Sequence, residues 1–512
     1  MRRLKVLASH LQSEPLPNIR PGDDVAKQVA TSFFVKDAFA PRTSELSIQI
    51  AMAAAVVKGD LSTELSQLRG CFYRIGPNPQ FDFKNKPYHV FDGDGMIHQI
   101  QFHGDGTLTY RNKFIRTEAY ELDTGRNFSF SIMGEAAEYK STGSMSWLKY
   151  AQSPMGRANT ALISHNNRLL ALFEQDVPYS IDPESLETLG KVLDYGTMPF
   201  TAHPKVCAIN GDMIYFGYIN GPRKGPFCHY GVVDANGQKI CSFPINVPAP
   251  VMMHDIAITS TRSIFFDYNN QYHSPKEIMT GQAKSMYVVD KSLSVRFGIL
   301  PRYAQNDKNI VWIDVPFAVV FHFLNAWDEG DEVVVWGCAA SSIDLDNIGG
   351  DNSRTSGGIM TCWRFNVVEG YLIETFTIGN PTPNHINSNE TAVDFAQLPA
   401  NKVGVSMRYG YATVFCAGFK ADGIVKYDLL QRQTNTYRFE QGVFSGEAMF
   451  IEKDGKEEDD GWLMCFVYGD TRCESALAVI DAKTMTEVAR IAVPARVPAG
   501  FHACWKPYTT PT

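Results

Sequence analysis

The 512-residue chain reads as all-β, and more narrowly as a seven-bladed β-propeller with a loop and helical cap over one face. Three observations predict this. From residue 70 onward the apolar runs are short, β-branched or aromatic, and bounded by Gly, Asp or Asn. Met213 to Tyr218, Ile264 to Tyr268, Val333 to Trp336, Thr413 to Phe419 and Trp462 to Tyr468 are examples. That is strand chemistry, and helical periodicity is largely absent. A strand–turn–strand unit then recurs seven times. Finally, four histidines in apolar surroundings follow that unit at a nearly constant step.

The turn residues of the repeat are Asp105, Asp182, Asp234, Asp290, Asn366, Asp428 and Asp481, at intervals of 77, 52, 56, 76, 62 and 53 residues. Each follows a strand-like run, as in Gly231-Val232-Val233-Asp234 or Ala478-Val479-Ile480-Asp481. Hairpins at this period suggest blades of about four strands each. His203 is 21 residues after Asp182, His254 is 20 after Asp234 and His502 is 21 after Asp481. His322 is 32 after Asp290, which suggests an inserted loop. After an outer hairpin the chain must cross to the innermost strand of the next blade. The four histidines are therefore expected to converge on one axis.

In chain order, residues 1–40 read as an extension over the surface, and 41–512 as a single catalytic domain with cap insertions. The N-terminus Met1-Arg2-Arg3-Leu4-Lys5 is basic but lacks the apolar core of a secretion signal, and Glu14, Asp23 and Asp24 argue against a transit peptide. The run from Leu46 to Val57 is too short to span a bilayer and reads as a packed helix or strand. Residues 125–160, with Phe128, Phe130, Ile132, Met133 and Trp147, read as a cap over one face or a membrane contact. Ser341 to Gly358 and Asp454 to Gly461 read as solvated loops. A net charge of −8 without a basic stripe argues against nucleic acid as a partner. The ten cysteines form no CxxC pair and lie beside strand-like residues, which fits buried thiols in a reducing, cytoplasmic setting.

A histidine in an apolar wall either hydrogen-bonds to buried backbone or binds a metal. Four of them, in Thr201-Ala202-His203-Pro204, Met252-Met253-His254-Asp255, Phe321-His322-Phe323 and Gly500-Phe501-His502-Ala503, favour a metal. Neutral imidazole suits iron, copper, nickel and zinc alike. Ligating histidines need acceptors on their other ring nitrogen. Glu447, Asp394 and Glu174 lie in or beside apolar runs where a lone carboxylate would be costly, and they are the candidates. His10, His103, His165, His229, His273 and His385 stand in polar or loop contexts and read as surface residues. His89 and His98 flank Phe91-Asp92-Gly93-Asp94-Gly95-Met96, which reads as a tight turn joining strands.

With Phe72-Tyr73-Arg74-Ile75-Gly76-Pro77-Asn78-Pro79, Phe91 to Met96 and the four histidine stretches, the chain from about residue 59 onward resembles the carotenoid cleavage oxygenase family. This family includes carotenoid and apocarotenoid dioxygenases, stilbene-cleaving oxygenases and a retinoid isomerase. The resemblance implies a seven-bladed propeller and a mononuclear non-haem Fe(II) on His203, His254, His322 and His502. It implies that Glu174, Asp394 and Glu447 pair with His254, His322 and His502 respectively, and that Thr160 crowds one coordination position. The family carries glutamate where Asp394 stands, so that pairing rests on a carboxylate one methylene shorter. The implied reaction uses O2 as co-substrate and cleaves a conjugated double bond to two carbonyl products.

Stilbene-cleaving members carry a lysine just before the first of these carboxylates, to meet a phenol oxygen. Here that position is Phe173, which suits a polyene better and favours a carotenoid or apocarotenoid over a stilbenoid substrate. Isomerisation without oxygen, a binding propeller without catalysis, and a purely structural metal are the rival readings. Polyenes partition into membranes, so peripheral membrane contact is compatible with this reading.

Overall fold

A computed structural model describes residues 45–508, apart from 60–61, 82–88, 128–155, 220–224, 274–276, 278–279, 281, 283–286, 343–344, 346–357, 380–391, 417–419, 454, 456 and 470–474. The N-terminal extension, His10, His385, Cys473 and the aromatic residues of the expected cap lie outside the described residues. Within them the chain is mainly β. The longest helix is Glu118–Arg126, capped by the Thr117 hydroxyl accepting from the Tyr120 amide at 3.1 Å.

The strands fall into antiparallel units in chain order. The first sheet holds β1 (Ser47–Ala51), β3 (Arg69–Pro77), β4 (Gly95–His103) and β5 (Thr107–Phe114), and it is completed by the C-terminal β33 (Ala503–Pro507) in the order β1-β5-β4-β3-β33. Next come β6 (Ala161–His165), β7 (Arg168–Leu172), β8 (Tyr179–Ile181) and β9 (Thr188–Lys191). The third unit is β10 (Lys205–Val206), β11 (Met213–Tyr218), β12 (Cys228–Val233) and β13 (Lys239–Ile245). The fourth is β14 (Ala257–Ile258), β15 (Arg262–Asp267), β18 (Val295–Pro301) and β19 (Val311–Val315), with a side ribbon of β16 (Asn270–Tyr272) and β17 (Tyr287–Val289). The fifth is β20 (Val319–Glu329), β21 (Glu332–Ala340), β22 (Ile359–Asn366) and β23 (Tyr371–Thr377).

The remaining strands form one ten-stranded sheet. It consists of two meanders, β24 (Ala392–Gln397) to β27 (Gln433–Arg438) through β25 (Tyr409–Cys416) and β26 (Lys420–Asp428), and β29 (Met449–Glu452) to β32 (Thr486–Val493) through β30 (Gly461–Gly469) and β31 (Ser475–Asp481). The short β28 (Val443–Ser445) bridges β26 to β30, and β2 (Val56–Gly59) adds to β32. The expected packing of the Leu46 to Val57 run is thus met by β1, a single helical turn at Met52–Ala55 and the start of β2.

The recurring turn has a physical basis. The Asp182, Asp234, Asn366, Asp428 and Asp481 side chains each accept one or two backbone amides from residues two to four further on. In four of these turns the fourth residue, Leu186, Gly370, Arg432 or Met485, takes a left-handed conformation that lets the chain reverse. All five lie between the third and fourth strand of their unit, as Asp105 does between β4 and β5. Asp290 departs from the pattern. It follows β17 of the side ribbon, and no residue soon after it has positive φ. The equivalent turn follows Pro301 at the end of β18, and His322 is 21 residues beyond Pro301. The longer step is therefore due to the ribbon, not to a loop inserted after the turn.

Successive sheets share apolar layers. Phe265 of β15 packs edge-on against Phe216 and Tyr230 of the preceding sheet. Phe297 of β18 meets Phe323 and Trp363 of the following one. Phe72 of the first sheet meets Phe466 of the last, with ring centroids 5.5 Å apart. Each such aromatic contributes about 1.5–3 kcal/mol through burial. Pairing of Tyr73 with Cys504 ties the two ends of the chain into one sheet. The nine described cysteines are free thiols, eight of them buried, in agreement with the sequence reading. Among the described residues no helix is long and apolar enough to cross a membrane.

Candidate metal centre

One point recurs in all seven units: the start of the strand that opens each of them. His203 stands two residues before β10, His254 three before β14 and His502 directly before β33, while His322 lies within β20. Three of the four are therefore in the segments that enter these strands, not in strands as the sequence suggested. Thr160 immediately precedes β6, Asp394 is in β24 and Glu447 is two residues before β29. Glu174 differs, because it follows β7, the second strand of its unit.

The four imidazoles are brought together and buried. The His203 and His254 Nε2 atoms are 3.0 Å apart, and those of His254 and His322 are 3.2 Å apart. The His502 ring centroid is 4.6 Å from that of His203 and 4.9 Å from that of His322. Ligand atoms of His203, His322 and His502 all lie within 4.8 Å of one another.

The opposite ring nitrogens meet carboxylates. His254 Nδ1 faces Glu174, His322 Nδ1 lies 2.8 Å from Asp394 Oδ1, and His502 Nδ1 lies 3.0 Å from Glu447 Oε1. The shorter Asp394 reaches directly, with help from the backbone. β24 is bulged between Asp394 and Gln397, where three steps oppose two on β25, and Phe395 takes a left-handed φ of 50°. That conformation is costly for a bulky residue. It seats the Phe395 ring 5.3 Å from His322 and 4.9 Å from His502, and the Phe395 amide donates to Asp394 at 2.8 Å.

Electrostatics keep two of the imidazoles neutral. Burial, then the neighbouring imidazoles, holds His203 well below the usual histidine range. His322 is lowered in the same way, against the opposing charges of Asp255 and Glu447. Although 24% of the Asp394 side chain is accessible, the protein mass around it pushes its carboxyl up to about 7, opposed by the Phe395 amide.

This arrangement fits a metal ion. An Nδ1–H given to a carboxylate leaves the Nε2 lone pair free. The Nε2 atoms of His254 and His322, both held in this way, then face each other at 3.2 Å with no proton between them, and they repel unless a cation stands there. Four neutral nitrogens add no charge, so a divalent ion would keep its own.

Sequence reasoning missed several partners. The Tyr218 hydroxyl donates to Glu174, and burial followed by the Glu174 charge keeps that phenol protonated, well above its ordinary range. Gln397 Nε2 donates to Glu447 Oε1 at 2.7 Å, and the Ala503 amide donates to its Oε2 at 2.6 Å. The Thr160 carbonyl accepts the His502 amide at 3.3 Å, and its hydroxyl donates to Asn159 Oδ1 at 3.1 Å. Asn159 in turn donates to the carbonyls of Phe91 and Gly93, which fixes the segment read as a turn. That segment is a single 3₁₀ turn at Val90–Asp92 leading into β4. His89 and His98 are structural as expected, bonding the Leu345 carbonyl and the Tyr110 hydroxyl at 2.8 Å each. His165 is not a surface residue: it is buried at the end of β6, 3.1 Å from the Gly211 carbonyl. No local signal pointed to Tyr218, which lies 44 residues from Glu174.

Aromatic rings surround the cluster. Phe321 stacks on His254 at 3.8 Å, and Phe91 meets Phe501 edge-on at 5.6 Å. Phe173 is half-buried beside Glu174.

The model of the family described as "Retinal pigment epithelial membrane protein" matches residues 39–507. "Carotenoid 9,10(9',10')-cleavage dioxygenase 1" of Arabidopsis thaliana is 36% identical over 471 residues, which covers 85% of this chain and 84% of that protein. A structure of a Synechocystis apocarotenoid oxygenase variant superposes with a TM-score of 0.77 at 21% identity, covering 94% of this chain and 99% of that one. A lignostilbene dioxygenase of Pseudomonas brassicacearum superposes with a TM-score of 0.75 at 21% identity, covering 97% and 100%. With its four-histidine cluster and these matches along most of its length, the chain belongs to the carotenoid cleavage oxygenase family.

Proposed function

We propose that the chain is a non-haem Fe(II)-dependent dioxygenase that cleaves a conjugated C=C bond of a carotenoid or apocarotenoid to two carbonyl products. The single observation that carries this is the set of four buried imidazoles, facing one another through Nε2 while three of them are held from behind by carboxylates. Its folding frame is a single seven-bladed β-propeller over residues 41–512, with residues 1–40 as an extension. Supporting that frame are the seven successive four-strand meanders, two of them merged through β28, and the pairing of β33 with β3. The opening strands of the seven meanders would line the axis.

In this reading His203, His254, His322 and His502 hold the iron, and Glu174, Asp394 and Glu447 fix the orientation of three of them. Thr160 stands at the edge of the same space through its contact with the His502 backbone. Ferrous iron held there supplies the activation of dioxygen, and each carbon of the broken double bond ends with one oxygen atom. No side chain is required as a general acid or base. Phe91, Phe321, Phe395 and Phe501 keep water away and offer ring faces and edges to a polyene. The apolar Phe173 beside Glu174 supports a polyene over a phenolic substrate. Such a substrate enters from lipid, so peripheral contact with a membrane from the cytoplasmic side accompanies this reading.

The test is product analysis by mass spectrometry on the iron(II)-loaded protein, given apocarotenals and a hydroxystilbene with and without dioxygen. Oxygen-dependent polyene fragments support the proposal and locate the bond. Cleavage of the hydroxystilbene alone replaces it with the stilbenoid reading, and oxygen-independent rearrangement replaces it with isomerisation.

A further inference from the structure

A buried carboxylate next to His254 joins the segments that carry three of the four imidazoles. Asp255 is 3% exposed. Its Oδ1 accepts from Lys205 Nζ and from the Ile256 amide, each at 2.7 Å, and its Oδ2 accepts the Phe323 amide at 2.9 Å. The sequence positions give these contacts their meaning. Lys205 is the second residue after His203, Asp255 follows His254, and Phe323 follows His322. One carboxylate therefore ties together the opening segments of three consecutive units.

The third contact depends on an irregular strand. β20 lies at the edge of its sheet, and its pairing with β21 shifts register on both sides of Phe323, from Val320–Ala339 to Phe323–Gly337 to Asn325–Trp336. Such bulges re-aim side chains and leave the local backbone under-determined by the ladder. The Phe323 amide bond to Asp255 supplies the missing constraint next to His322. Gly337 opposite leaves room for it, since a Cβ there would come within 2.9 Å of the Phe323 ring and 3.3 Å of the His322 carbonyl.

Stability alone is a poor reason for this pair. Removing a carboxylate from water costs several kcal/mol, and replacing a buried ion pair with apolar residues is often neutral or stabilising. What such a pair gives is registry. The Lys205 side chain is 24% exposed, so the cation end of the pair keeps some contact with solvent.

We propose that the Lys205–Asp255 ion pair is a positioning device of the metal centre, which holds the segments of His203, His254 and His322 at ligand spacing. The proposal rests on the four histidines being a metal site. The test measures binding of iron(II) alone, by competition with a chromophoric chelator, together with Tm in the metal-free and iron-loaded forms. The proteins compared are wild type, Asp255→Asn, Lys205→Met and Lys205→Arg. Asp255→Asn and Lys205→Met are each expected to weaken iron binding by about tenfold. The rise in Tm on adding iron should shrink with them, because that increment follows the affinity. Lys205→Arg, which retains the cation, is expected to bind iron close to wild type. Unchanged iron affinity with an equal drop in both Tm values makes the pair merely structural and overturns the proposal. If Asp255→Asn does not fold, Lys205→Met at the partly solvated end of the pair decides by the same readout. Failure of the wild type to bind iron would refute the metal site itself, a result separate from either outcome for the variants.

Discussion

Replacement of Glu447 gives the sharpest test of how the centre is held. Glu447 is 2% exposed and receives three donors, His502 Nδ1 at 3.0 Å and Gln397 Nε2 at 2.7 Å on Oε1, and the Ala503 amide at 2.6 Å on Oε2. Glu447→Gln keeps the shape and removes one acceptor. If the new amide oxygen faces Ala503, the NH2 group faces His502, and the imidazole must place its proton on Nε2 to accept at Nδ1. That tautomer cannot ligate. If the oxygen faces His502, the NH2 group opposes the Ala503 amide, donor against donor, in a dry site. Either way a buried hydrogen bond is lost at a cost of about 1–3 kcal/mol. Loss of such an outer partner lowers metal affinity by about 10–100-fold, or about 1.4–2.8 kcal/mol. Chelator competition with iron(II) measures this directly, and Glu447→Ala should fall in the same range or beyond. Iron affinity equal to wild type in both variants would refute the claim that Glu447 sets the His502 tautomer.

His203→Ala, His254→Ala, His322→Ala and His502→Ala should each remove activity and most bound iron, measured by metal analysis and turnover; full turnover in any one would exclude that histidine as a ligand. Asp394→Glu adds a methylene at a bulge already shaped for the shorter side chain, so it should weaken iron binding instead of improving it, and tighter binding than wild type would contradict the compensation by Phe395. Arg157 is buried with two buried partners, Asp94 and Asp123, each at 2.7 Å. Arg157→Met removes the cation that both buried carboxylates share and should cost about 3–5 kcal/mol of unfolding free energy in denaturant titration; a loss below about 1 kcal/mol, the level of a surface pair, would mean that the site relaxes.

The parts of the fold legible in the sequence were those set by local rules. Turns carrying Asp or Asn between strand-like runs were readable because the side chain itself closes the turn onto nearby amides. Asp290 misled for the same reason: its carboxylate closes a turn with the Ser292 amide at 2.9 Å, but that turn ends a side ribbon. Sequence pattern registers the local hydrogen bond and is blind to which strand pairs with which. His165 was misjudged likewise, because its polar neighbours Asn166 and Asn167 turn the chain at positive φ while its own ring is buried against the Gly211 carbonyl.

The site followed a different logic, because its partners are distant in sequence and near in space. Taken in chain order, the residues at the opening strands are Thr160, His203, His254, His322, Asp394, Glu447 and His502. Asp394 serves the histidine one unit before it, and Glu447 serves the histidine one unit after it. His203 lies between Thr160 and His254, neither of which offers a carboxylate, and among the described residues it makes no ion pair. Glu174 must come from a second strand to reach His254, and it needs the Tyr218 hydroxyl at its back. The carboxylates at repeat positions were therefore open to sequence reasoning, whereas Tyr218, Gln397 and the contacts of Asp255 were not. The last two depend on where bulges in β20 and β24 set a backbone amide or a side chain, and bulges are fixed by pairing across the sheet, at Gly337 for one and at Thr413 and Tyr411 for the other. The positions of the four histidines are specified by the repeat, and the tuning of their orientation is specified by departures from it.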